Sequence, residues 1–362
     1  MLRQLLILPL LMGICAAGLI PIANYTGKHD SRCFEAPKVA GAILNDKLYT
    51  FGGCFRVSYV VDPDSLRDNF IFSSEDHKNA TDLSQVYDVS KNEWSFETKT
   101  PVPFKQASTQ VVEDSIYFYD IKPEFEWTSM DMYKYDTTDK LWTTLPEIPF
   151  LWSGNLKSCH DGQGKMYFTG SEDGEERSII HVYDTNKEQW IKSPILMDKR
   201  LQVKQMICKK DHIKFIAKDL KSIEDEPKMA VWYSSDDGPS IMDETLELFS
   251  TSYLDGSTVS DNYSFDGNYN SAPISLYGDY AYLHNVRKTE TIFYRLNIMT
   301  LENVIIGILP YDLSTPLIAP VNENELLILG GIAPYPYGRT HRNDIKIYNH
   351  KLVYNPVKHD EL

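Results

Sequence analysis

Apolar positions in this chain come in short runs separated by turn residues. Val39-Ala-Gly-Ala-Ile-Leu44 meets Asn45-Asp46, and the chain returns as Leu48-Tyr-Thr-Phe-Gly-Gly53. After a loop comes Val86-Tyr-Asp-Val89, a turn at Ser90 to Asn92, and Trp94-Ser-Phe96. Four short strands with turn signals between them predict a four-stranded antiparallel meander. The second half of this unit, Tyr-Asp followed by Trp, recurs at Tyr87-Asp88…Trp94, Tyr135-Asp136…Trp142 and Tyr183-Asp184…Trp190, each copy 48 residues after the last. Self-similarity at such a period marks a supersecondary unit that is copied and stacked.

Counterparts of the second strand continue through the chain: Leu48-Tyr-Thr-Phe, Ile116-Tyr-Phe-Tyr, Met166-Tyr-Phe-Thr, Ile213-Lys-Phe-Ile, Tyr280-Ala-Tyr-Leu and Leu326-Leu-Ile-Leu. They predict six units, two of them stretched by insertions of about twenty residues, which surface loops tolerate. The later units depart from the pattern. Gly-Gly recurs only at Gly52-Gly53 and Gly330-Gly331, and Asn replaces Asp and Trp at Asn297…Asn303 and Asn349…Asn355. The fourth unit instead reads Val231-Trp-Tyr, then Ser234 to Ile241.

With Gly-Gly after the second strand, Tyr-Asp closing the third and Trp in the fourth, the chain resembles the kelch family. The resemblance implies an all-β fold, a six-bladed kelch-type β-propeller of four-stranded antiparallel blades over residues 19–357. It also implies that Tyr packs in the blade, Asp shapes a turn and Trp fills the space between blades. Ser234-Ser-Asp-Asp-Gly-Pro-Ser-Ile241 resembles the Asp-box turn of sialidase-type propellers, a structural feature. To close a ring, residues near Asn24 to Arg32 are expected to pair into the sixth blade, since closure removes exposed strand edges. Leu352 to Val357 as the outer strand is the alternative.

Composition is that of a folded protein, with 42% apolar residues, and the net charge of −15 disfavours nucleic acid or an anionic membrane as partner. Arg3, the apolar stretch Leu5 to Ile14 and Ala16-Ala17-Gly18 have the layout of a signal peptide over residues 1–18. An uncleaved anchor over Leu5 to Ile22 is the competing reading, weakened by Pro9, Gly13, Gly18 and Pro21. Residues 358–362 form a tail whose last four, His359-Asp360-Glu361-Leu362, read as a retrieval address for the endoplasmic reticulum. A soluble resident of that lumen is expected, with the receptor for this address as one partner and no membrane insertion of the mature chain. Cys33, Cys54, Cys159 and Cys208 then lie in an oxidising compartment. Of the three connectivities they allow, Cys33–Cys54 and Cys159–Cys208 are expected; free buried thiols are the alternative. Asn24, Asn79 and Asn262 head glycosylation sequons.

In such a meander the first-to-second and third-to-fourth turns share one end of the blade, and here they are tight. Longer segments, 54–82, 120–130, 217–229, 242–270 and 332–344, go to the other end. Binding is usually built on variable loops carried by a rigid scaffold. Candidate binding residues there are Tyr335, Tyr337, Arg339, His341 and Arg342 on one loop, together with Trp127 and Trp152, which occupy no repeat position. Aromatics with Arg suit protein or glycan surfaces; for Trp152 the competing reading is packing under the inter-blade link. His160, His181 and His212 read as solvated residues at turns or strand ends. No metal or cofactor is expected: the His residues lack metal-ligand spacing, and no nucleophile elbow or phosphate loop occurs. The resemblance brings in galactose oxidase, whose copper site needs a Tyr–Cys cross-link that these cysteines do not match. The favoured expectation is a non-catalytic propeller binding a client or resident glycoprotein in folding, glycan processing or quality control. A sugar-acting enzyme of mutarotase, epimerase or hydrolase type, using two channel carboxylates, and a structural subunit of a lumenal complex are the alternatives.

Overall fold

A computed structural model describes residues 18–21, 40–53, 80–104, 106–123, 129–171, 179–196, 201–208, 212–219, 228–233, 240–246, 251–252, 258–259, 275–287, 290–297, 299–300, 303–309, 317–329 and 349–353. The first strand is β1 (Gly18–Pro21). The repeats begin with β2 (Ala40–Leu44), β3 (Lys47–Phe51), β4 (Ser84–Asp88) and β5 (Glu93–Phe96). Then follow β6 (Gln106–Val112), β7 (Ser115–Lys122), β8 (Met132–Asp136) and β9 (Leu141–Leu145). The third set is β10 (Ser153–His160), β11 (Lys165–Ser171), β12 (Ile179–Asp184), β13 (Gln189–Trp190) and β14 (Ile195–Leu196). The fourth is β15 (Leu201–Cys208), β16 (His212–Asp219), β17 (Lys228–Tyr233) and β18 (Ser240–Leu246). After β19 (Thr251–Ser252) and β20 (Thr258–Val259) come β21 (Ser275–Tyr277), β22 (Tyr280–Arg287), β23 (Glu290–Asn297) and β24 (Asn303–Leu309). The last are β25 (Leu317–Asn322), β26 (Glu325–Leu329) and β27 (Asn349–Val353).

Among the described residues these strands form six sheets, antiparallel except where β19 runs parallel to β24, and five of them contain a run of four strands consecutive in sequence. The sixth, β25-β26-β27, takes its fourth strand from β1. The chain divides into two compact units. Tyr25–Leu248 holds the first four sheets; Met1–Asn24 with Phe249–Leu362 holds the other two. In the larger unit the first strands β2, β6, β10 and β15 lie next to one another in that order, so successive sheets pack face to face.

That packing is aromatic. Tyr87, Tyr135 and Tyr183 are fully buried, and each ring meets its repeat Trp at 5.1, 4.9 and 5.1 Å between centroids. Trp142 of the second sheet also reaches Phe51 of the first at 5.6 Å, and Phe51 stands edge-on to Phe118 at 4.8 Å. A single twisted meander has nothing on its own to cover its apolar faces; the neighbouring sheet does so. Ion pairs fasten the rim. Lys140 Nζ lies 3.0 Å from Glu97 Oε1, and Tyr135 OH donates to Glu97 Oε2 at 3.0 Å.

Asp makes the third-to-fourth turn in the first three sheets. Asp88 Oδ1 accepts from the N–H groups of Ser90 and Lys91, Asp136 Oδ1 from Thr138 and Asp139, and Asp184 Oδ1 from Asn186 and Lys187. Hydrogen bonding, first from Ser90 Oγ and then from Lys91, lowers the Asp88 carboxyl to about 2. Asn297 performs the same task in the fifth sheet, accepting from Met299 and Thr300 at 2.9 and 3.1 Å. A turn acceptor needs only one correctly placed oxygen, so Asn substitutes without loss of geometry.

Several expectations are revised. The strand added to the sixth sheet is Gly18–Pro21, in register with Val353 to His350, whereas Asn24 to Arg32 lie outside the described residues. Leu352 belongs to the third strand of that sheet, so it does not start an outer one. Asn349 opens β27 and pairs with Leu329, so it is not the counterpart of Asp88; Val353, opposite Glu325, holds that register position. The segment 242–270 is more than a loop: β18 runs to Leu246, and β19 joins β24 in parallel at Asn303 and Val304. The expected bridge Cys159–Cys208 is present, joining β10 to β15 with Cα atoms 5.4 Å apart. Cys33 and Cys54 lie outside the described residues.

Trp142→Ala is expected to cost about 3–5 kcal/mol of unfolding free energy, whereas Leu141→Ala, at a position 63% exposed, should change it by less than about 0.5 kcal/mol; urea unfolding of both variants checks this. Loss of the Cys159–Cys208 bridge, which closes a separation of 49 residues, is expected to lower stability by up to ~4 kcal/mol in the chain-entropy model, measured with Cys159→Ala/Cys208→Ala under the same conditions.

Candidate functional site

The two ends of the sheets differ as the sequence implies. First-to-second turns are short, with Asn45 and Asp46 both in left-handed backbone at φ 52° and 58°, the conformation of a two-residue hairpin turn. Third-to-fourth turns end on Asn92, Lys140 and Glu188 in the same region. Connections at the other end are mostly longer, and two described residues there stand out.

The first is Asp120, near the end of β7. The β6–β7 ladder slips between Gln106↔Lys122 and Ser108↔Tyr119, so Asp120 and Ile121 together oppose Ala107 in a bulge. Bulges re-aim a side chain and occur often beside functional sites. Asp120 has φ 52°, matching φ 63° at Gly52, the equivalent residue of the first sheet. A Cβ on Gly52 would lie 2.4 Å from the Phe104 ring, which explains the glycine there. In the second sheet the corresponding link supplies Trp152 instead, and Asp120 keeps its side chain.

Asp120 is 0% exposed. Trp152 Nε1 donates to its Oδ1 at 3.1 Å, Lys122 Nζ lies 3.9 Å from the same oxygen, and Oδ2 has no hydrogen-bond partner. Burial pushes the carboxyl above its ordinary value, against the opposing pull of Lys122, Trp152, the Leu156 N–H and Lys157. Beneath it, Ser158 Oγ donates to Tyr119 OH at 2.7 Å. Asp120 therefore cannot touch a ligand directly. It acts through what it holds.

The second residue is Trp152 itself, on the link before β10. Its indole packs beside Phe150 at 5.9 Å, and its Cβ sits so close to Gly170 that a side chain there would meet it at 2.8 Å. Trp152 is thus half-buried and fixed under the link, the packing alternative for this residue. Its neighbour Leu151 is 79% exposed. An apolar side chain presented on an anchored link is the geometry of a contact point.

Of the residues expected to bind, only Trp152 is described. Trp127, Tyr335, Tyr337, Arg339, His341 and Arg342 lie outside the described residues, as do Asn24, Asn79, Asn262 and His359 to Leu362. Thr81, the hydroxyl residue of the Asn79 sequon, is buried and accepts from the Leu83 N–H at 3.0 Å. His181 is not a solvated strand end: it lies within β12, stacked on Phe150 at 3.6 Å. His160 is half-buried, with Nδ1 accepting from the Gly162 N–H at 3.2 Å. In the smaller unit His284 is buried, and burial lowers its pKa to about 4. Among the described residues no group of three His, Cys, Asp or Glu could hold a metal ion. Sequence reasoning missed Asp120 and Leu151. Asp120 had a signal, an acidic residue four positions after Ile116 where the first unit has Gly52; Leu151 had none.

No protein-family model matches the chain. It is similar to Kelch-like protein terF of Aspergillus terreus (strain NIH 2624 / FGSC A1156), 25% identical over 164 residues, which is 41% of this chain and 31% of that protein. The match thus spans about a third of the relative's length. Among solved structures, YjhT gives a TM-score of 0.49 at 12% identity, covering 89% of this chain and 95% of that one. The Tyr-Asp…Trp meanders form four-stranded antiparallel sheets, the unit expected of a kelch-type propeller, and the curated protein that the chain resembles is itself kelch-like.

Proposed function

We propose that this chain is a non-catalytic, six-bladed recognition propeller of the endoplasmic-reticulum lumen, with one blade per sheet. It binds a protein or glycoprotein partner with the end of its blades that carries the longer connections. The observation that supports this most is the pairing of an exposed Leu151 with a Trp152 held by a buried carboxylate. A scaffold that spends a buried charge on fixing one aromatic is built to present that edge in a single conformation, and pre-organisation of this kind raises affinity. The address His359-Asp360-Glu361-Leu362 and the leader-like 1–18 support the compartment. The loop residues Tyr335, Tyr337, Arg339, His341 and Arg342 are assigned to the same binding end.

The alternative reading is an enzyme acting on sugars. The two readings part on turnover. Affinity capture from lumenal extract, with and without prior glycan removal, should recover a stoichiometric protein partner. Leu151→Asp and the pair Tyr337→Ala/Arg339→Ala should each weaken capture by about 30-fold or more, the scale of a hot-spot loss of ~2 kcal/mol. Folded variants that keep every partner would reject the assigned face, and turnover of a sugar substrate without a stable partner would favour the enzyme. Removing His359 to Leu362 should divert the chain from the lumen to the medium, followed by secretion assay.

A further inference from the structure

Asp120 combines three unfavourable features at one position. It is a non-glycine residue in left-handed backbone, an ionisable group without exposed surface, and a carboxylate with one oxygen lacking a partner. Each costs stability, and the equivalent residue Gly52 shows that the repeat does not need an acid there. Strain and buried charge gathered at one residue mark a functional constraint.

We propose that Asp120 is a proton-controlled positioning residue for the Leu151–Trp152 edge, clamping the link before β10 when charged and loosening it when protonated. The charge-assisted hydrogen bond from Trp152 Nε1 is stronger than one to a neutral carboxyl, and the 3.9 Å approach of Lys122 attracts only the charged form. Protonation removes both attractions. It also turns one oxygen into a donor in a place where Oδ2 has no partner, so the side chain must turn to find one.

The groups facing Asp120 all act in one direction. Lys122 comes from its own strand and Lys157 from β10, and both favour the charged form. Tyr119 precedes it with its hydroxyl taken by Ser158, and burial raises that phenol. The facing stretch of β6 offers Gln106 and Ala107, neither of which titrates. Asp131, beyond the Ile121–Ser129 bridge, is engaged by Ser129. No second acid competes for the proton among these groups. The burial-driven rise of the Asp120 carboxyl sets the transition above the ordinary Asp value of about 4. The inference rests on the proposed function only for what the edge binds, and its test needs no partner.

Intrinsic tryptophan fluorescence of the whole chain is followed from pH 7.5 to pH 4 for wild type, Asp120→Asn, Asp120→Gly and Trp152→Phe. Asn is close in shape and tolerates left-handed backbone; Gly is the residue of the first sheet at this position. Wild type should show a one-proton transition with its midpoint above about 4, absent from all three variants. A raised folded-state pKa means that the charge opposes folding above it. Asp120→Asn should therefore melt at a higher temperature than wild type at pH 7, with the gap closing as the pH falls towards the unfolded value. A transition that persists in Asp120→Asn, or a wild type without one above the ordinary Asp value of about 4, would overturn the proposal. Failed partner capture with an intact transition would count against the binding reading and leave the clamp standing.

Discussion

Face-to-face aromatic packing between successive sheets is the interaction on which the rest of this fold depends. A four-stranded sheet has two faces to cover and no helix among the described residues to cover them. Tyr135 and Trp142 of the second sheet press against Phe51 of the first, and Phe168 of the third stands edge-on to Tyr119 of the second at 5.1 Å. Large rings bury the most apolar area per residue, so a few of them in register are sufficient to join two twisted sheets. The period of the sequence is the period of this contact.

Where the aromatic wedge is missing, other devices take its place. Between the third and fourth sheets the Cys159–Cys208 bridge links first strands, next to a cluster of Ile180, Met206, Ile213 and Phe215. In the fifth sheet Asn303 occupies the register position of Trp, and there β19 pairs along the outer strand. A covered edge no longer offers free N–H and C=O groups to another chain. The Asp turn survives longer than the Trp, because Asn297 still supplies the one acceptor that the turn requires.

The two ends of the sheets are built differently. One end is confined to turns whose residues are fixed by backbone demands, as the left-handed Asn45, Asp46, Asn92 and Lys140 show. The other has longer connections and carries the bulge at Asp120, the anchored Trp152 and the exposed Leu151. Trp152 is a packed support, with its indole against Phe150 and its N–H on Asp120, while its neighbour Leu151 faces solvent.

The strands of the repeated meanders, their order and the Asp turns of the first three were legible along the chain, because each is governed by local chemistry that repeats. All six second-strand counterparts lie in second strands: Leu48, Ile116, Met166, Ile213, Tyr280 and Leu326. Ring stacking at Tyr87 and Trp94 was legible for the same reason. Contacts between distant segments were not. That Gly18–Pro21 completes the last sheet, that Asn349 opens a strand rather than closing one, and that Thr251–Ser252 lies beside Asn303 depend on pairing partners hundreds or tens of residues away. Asp120 makes the division plain. Its place in the repeat can be counted along the chain, but its burial, its unpaired oxygen and its hold on Trp152 exist only once two sheets and a link have been brought together; desolvation is a property of surroundings, and those are decided by the tertiary structure.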